Sequence, residues 1–76
     1  MKCPVFWEAK SEDITEYSFD GKSVRCPRCG AYDIAGSVYV PGNLIKLEAE
    51  GRLRALQRAR QFAKRGERPV IKSSTL

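Results

Sequence analysis

The chain has 76 residues and weighs 8.6 kDa. A chain this short buries only about 60% of the surface its unfolded form exposes, which excludes a second domain and a large enzyme with its own deep cleft. Its 14 basic and 9 acidic side chains leave a net charge of +5, and it has no histidine.

Without histidine there is no Ser-His or Cys-His nucleophile pair, no imidazole base and no Cys2His2 or Cys3His zinc set. No run approaches the ~20 apolar residues of a membrane span. The opening Met-Lys-Cys-Pro-Val-Phe-Trp-Glu lacks the long apolar stretch of a secretory signal. The expectation is a small soluble cytoplasmic module that works on or with something larger, and not an enzyme. Charge divides unevenly along it. Residues 1–42 carry five basic and six acidic side chains, whereas residues 43–76 carry nine and three. A basic back half suits a polyanion or an acidic protein surface as partner.

In chain order, Val5, Phe6 and Trp7 form an apolar cluster after Cys3-Pro4, and residues 10–13 read as a polar loop. Residues 15–19 alternate, with Tyr17 and Phe19 on one face. Asp20-Gly21 then predicts a tight hairpin turn into a strand over 22–26. Residues 31–40 predict a further strand, with Tyr32, Ile34, Val38 and Val40 on one face and Gly36 as a bend. Pro41-Gly42 ends the strand region.

From Asn43, a plausible N-cap, to a stop at Gly66 and Pro69, the spacing predicts one long amphipathic helix. Its apolar stripe is Ile45, Ala49, Leu53, Leu56, Ala59 and Ala63. A neighbouring face of Leu44, Gly51, Ala55 and Phe62 serves either to widen the core or to pair with a second copy. Residues 67–76 form a tail in which Pro69-Val70-Ile71 suits an edge strand before a loose end. The expected architecture is one α+β domain over residues 1–66, with sheet and knuckles over 1–42 and the basic helix over 43–66.

The three cysteines are Cys3, Cys26 and Cys29. In Cys26-Pro27-Arg28-Cys29-Gly30, two residues between thiols let one tight turn curl around a tetrahedral ion. Proline presets the turn, and glycine lets the chain leave with N–H groups aimed at the sulfurs. Cys3-Pro4-Val5-Phe6 lies in register 23 residues upstream, with Phe6 over Cys29.

In these residues the chain resembles the zinc-ribbon proteins, whose two CPxC-type knuckles on β-hairpins grip one zinc ion. The resemblance covers about residues 1–40. It implies a small antiparallel sheet of three or four strands and metal-ligand roles for Cys3, Cys26 and Cys29. Phe6 stands where the fourth ligand belongs. Glu8, Asp20 or Asp33, or a cysteine of another subunit, are the candidates to complete four-coordination. Two other readings stay open: a ribbon that has replaced its metal with packing of Phe6, Trp7, Tyr17 and Phe19, and thiol-disulfide chemistry at Cys26 and Cys29. The latter lacks the helix N-terminus that such a cysteine uses.

On the helix, Arg54, Arg58 and Arg65 project away from Leu56, while Arg52 and Arg60 flank the stripe. With Lys64 they are the expected phosphate contacts, because a guanidinium binds phosphate oxygens bidentately. The expected function is nucleic-acid binding or an accessory role. The alternative is a protein-interaction adaptor or a helix-mediated homo-oligomer.

Overall fold

The hairpin at the centre of the fold turns between Cys26 and Gly30, with Cys29 in its tip. In the computed structural model, which describes residues 2–7 and 10–76, β2 (Gly21–Cys26) pairs antiparallel with β3 (Gly30–Ala35). The register runs from Gly21 opposite Ala35 to Cys26 opposite Gly30, so Pro27, Arg28 and Cys29 form the hairpin tip. Gly30 leaves that tip at φ 79°, a conformation that glycine adopts without strain. Val24 stands opposite Tyr32, and both are fully buried.

A two-residue strand, β1 (Glu12–Asp13), pairs with the outer edge of β2. The expected tight turn at Asp20-Gly21 is not formed, and residues 15–19 are not a strand. Asp13 accepts hydrogen bonds from the Thr15 backbone N–H (3.0 Å) and hydroxyl (2.5 Å), while Thr15 Oγ1 accepts the Ser23 N–H at 2.9 Å. These local bonds draw the chain off the ladder after Asp13. Tyr17 is fully exposed as a result. Gly21 opens β2 instead, where a Cβ would run into the Ile34 carbonyl oxygen and the Phe19 ring.

β3 is also shorter than its parity suggests. It ends at Ala35, and α1 (Gly36–Tyr39) makes one helical turn that buries Val38 and leaves Val40 exposed. The Gly36 N–H donates to Asp20 O at 3.1 Å, and a Cβ on residue 36 would crowd the Asp20 carboxylate.

The main helix, α2, spans Ala49–Phe62, 14 residues, with Glu48 and not Asn43 at its N-cap. Residues 41–47 form successive turns that bring Leu44 into the core, and Leu47 O is held by the side chain of Arg52. The C-terminal end comes early because Ala63 is extended and the chain must return to the sheet. The buried face of α2 is Arg52, Ala55, Leu56 and Ala59, an i, i+3, i+4, i+7 stripe. It is rotated from the expected one: Ile45 and Ala49 are exposed, and Leu53 and Ala63 are half-buried.

After α2, β4 (Val70–Ile71) joins the other edge of β3 in parallel, with Ile34 opposite Ile71. The sheet therefore has the order β1-β2-β3-β4 and is mixed, not wholly antiparallel. Two parallel neighbours need a crossover of a dozen or more residues, and α2 supplies it. The end of the chain is tied down by a short 3-10 turn, Ser73–Thr75. Buried Thr75 closes on Lys72 there. Among the described residues, no helix is long and apolar enough to cross a membrane.

Candidate metal centre

Three chain segments bring the thiols together. Cys26 ends β2, Cys29 sits at the hairpin tip, and Cys3 arrives from the N-terminal segment, tied to the rest by a Lys2–Lys10 bridge. All three are free and buried, and their sulfurs lie within 4.8 Å of one another. The Cys3 and Cys29 sulfurs are 3.8 Å apart. Sulfurs placed ~2.3 Å from a tetrahedrally coordinated ion stand about 3.8 Å apart, so this edge already has the required length.

The two knuckles are alike in their backbone bonding. The Phe6 N–H points at Cys3 Sγ at 3.4 Å, in an i to i+3 relation. In the second knuckle, backbone bonds from Cys29 and Arg28 reach Cys26. Phe6 thus ends a turn of knuckle form although its side chain cannot ligate. Its ring is half-buried and lies under the Arg28 guanidinium, 4.3 Å from the ring centroid.

The electrostatics differ from thiol to thiol. Burial pushes the Cys26 thiol up, but the backbone bonds from Cys29 and Arg28, with the neighbouring thiols, outweigh it and hold the group below the ordinary cysteine value. Burial, and then the negative charge of Cys3, push Cys29 up to about 12. Three sulfurs this close do not all ionise unless a cation joins them.

Comparison with family models, with curated proteins and with solved structures finds no match for this chain. The site therefore rests on its own geometry.

Among the described residues, no carboxylate joins the sulfur cluster. Asp20 is exposed, and Asp33 faces Arg68 at 3.6 Å. Glu8 lies outside the described residues. The aromatic filling expected of a metal-free ribbon is not there: Trp7 is 46% exposed and Tyr17 wholly so, leaving Phe6 and half-buried Phe19.

What the sequence reading missed is Tyr32. Its phenol oxygen lies 3.0 Å from Cys3 Sγ, and the residue is 0% exposed. Burial, followed by the bond and charge of Cys3, raises its ionisation well above the ordinary tyrosine range. The reading of Tyr32 as a core-facing strand residue was sound, but alternation carries no information about where a hydroxyl ends.

The basic side chains divide into two groups. Arg52 is not a phosphate contact. It is buried, with Nε donating to Val5 O at 3.0 Å and Nη1 to Leu47 O at 2.6 Å, and its guanidinium lies 4.0 Å from the Trp7 ring centroid. Arg60 donates to Cys29 O at 2.5 Å from an exposed position beside the knuckle, and Arg58 donates to Leu76 O at 2.9 Å. Arg54 forms a loose, solvated pair with Glu50 at 3.9 Å. Lys64 and Arg65 are exposed beyond the end of α2. In the neighbouring face, Leu44 and Ala55 belong to the chain's own core, whereas Phe62 is 76% exposed. A self-association surface made of all four residues is therefore not available.

Knuckle-form bonding at Phe6 carries a prediction. Phe6→Cys places a fourth thiol at the end of a turn already shaped for it. Zinc affinity is expected to rise by at least about tenfold (~1.4 kcal/mol), read by competition with a chromophoric chelator. Unchanged affinity would mean that the first turn does not aim residue 6 at the sulfurs.

Proposed function

We propose that the chain is a small zinc-ribbon-like module in which Cys3, Cys26 and Cys29 hold a structural zinc ion and exposed basic residues contact a nucleic-acid backbone. The observation that carries the reading is the cluster of three buried sulfurs, drawn from segments 23 residues apart in sequence, with one edge of 3.8 Å. Thiolate sulfur and a tetrahedral edge favour zinc over the hard cations, which take oxygen. Bound there, the ion would join the N-terminal segment to the hairpin tip and neutralise thiolate charge.

The polyanion part of the reading is supported by what remains on the surface once Arg52 is set aside. Arg54, Arg58, Arg60, Lys64 and Arg65 are exposed over twelve residues, with Glu50 the nearest acid on the helix. Guanidinium groups already anchored to carbonyl oxygens, as in Arg58 and Arg60, are partly pre-ordered and keep donors free for phosphate.

Native mass measurement is expected to show one zinc per chain, or one per two chains if the ion is shared. A fluorescent oligonucleotide titration at low salt tests the second half. Changing Arg54, Arg58 and Arg65 together to alanine is expected to move stability by ~0.5 kcal/mol or less per site. It should weaken binding to all sequences alike and lower the salt slope by about 1 for each phosphate no longer neutralised. No binding by the wild type at low salt, where surface charge acts most strongly, would remove nucleic acid from the reading.

A further inference from the structure

We infer that Tyr32 is the positioning residue that holds Cys3 as a metal ligand, its phenol O–H donating to the Cys3 thiolate; the inference rests on the metal reading above. The N–H at hydrogen-bonding distance from Cys3 is that of Phe6, at a long 3.4 Å. Tyr32 Oη stands closer, at 3.0 Å.

The direction of that bond follows from chemistry. Once Cys3 is a thiolate it has no proton, so only the phenol can donate. Tyr32 and Cys3 are both 0% exposed, so bulk water does not reach either side of the contact. A hydroxyl buried at this depth is costly unless it is bonded, and phenylalanine would fill the same space in β3 opposite Val24 without that cost. The oxygen is thus placed for a partner, and the partner is the sulfur.

Direct ligation by the phenol fits less well. An oxygen ~2.0 Å and a sulfur ~2.3 Å from one tetrahedral ion stand about 3.5 Å apart, further than the distance observed. Groups that bond to a metal's ligands typically change its affinity by 10- to 100-fold when removed.

The test is zinc affinity of the full chain by chelator competition, with cobalt(II) as a spectroscopic probe, for wild type, Tyr32→Phe and Ile71→Val. Ile71 is buried on β4, and its trimming controls for lost stability away from the sulfurs. Tyr32→Phe is expected to weaken zinc by about 10- to 100-fold. Its cobalt form should keep the intensity of three thiolate charge-transfer bands and shift them in energy. Equal affinity in Tyr32→Phe and wild type overturns the inference, as does an equal loss in Ile71→Val. A changed cobalt coordination number in Tyr32→Phe overturns the donor role in favour of ligation. A wild type that takes up neither metal ends the metal reading itself, a failure distinguishable from the others because it appears before any substitution is made.

Discussion

Stripping the metal with a strong chelator is expected to unfold the chain, not merely to soften it. Cys3, Cys26 and Cys29 belong to the same buried cluster as Val5, Val24, Tyr32 and Leu56, so an ion held by them would sit inside the core. Structural zinc contributes an apparent ~10–16 kcal/mol to small zinc-finger peptides, against the ~5–15 kcal/mol that holds an ordinary domain together. In a fold where β1 and β4 have two residues each, the ion would reinforce the Arg52–Val5 and Tyr32–Cys3 contacts that hold the N-terminal segment against the rest. Circular dichroism melts with and without chelator should therefore differ, the chelated chain losing its cooperative transition, and added zinc should restore it. Because the ion displaces thiol protons, its contribution shrinks as pH falls, and the loaded protein should melt lower at about pH 5 than at about pH 7. A metal-free chain whose melt ignores the chelator would refute the structural role.

The second large effect lies at Arg52. Arg52→Met keeps the apolar stem and removes two charge-assisted hydrogen bonds, one to Val5 O and one to Leu47 O. Each is worth ~1.5–3 kcal/mol, so the substitution is expected to cost about 3 kcal/mol or more in denaturant unfolding. Lys is not expected to rescue it, because a single ammonium cannot reproduce the fork that spans both carbonyls. Val5 lies inside the first knuckle, two residues from Cys3, so zinc affinity should fall alongside stability. A loss no greater than that of an exposed arginine such as Arg54 would show that the buried guanidinium does not bind the helix to the knuckle.

Local chemistry in the sequence was enough for part of this. Pro27 and Gly30 around two thiols determine a hairpin tip, and the register of Cys3 over Cys26 marks a second turn of the same form. The spacing of Leu56 and Ala59 determines a helix, and Val70-Ile71 after Pro69 an edge strand, because turn preference and periodicity act within a few residues. The helix bounds were overrun at both ends, since the turns that seat Leu44 and the return of the chain to β3 are tertiary demands. Direction of pairing was likewise undetermined: an isolated two-residue strand pairs either way, and only the crossover through α2 makes β4 parallel. Most of all, the fate of a polar group depends on partners far along the chain. Arg52 reaches Val5 across 47 residues and Tyr32 reaches Cys3 across 29. On the helix projection Arg52 stands at the edge of the apolar stripe, where an arginine ordinarily lays its stem along the stripe and keeps its charged head in water. The tertiary structure decided it, because two carbonyl oxygens and the Trp7 ring wait on the inner side.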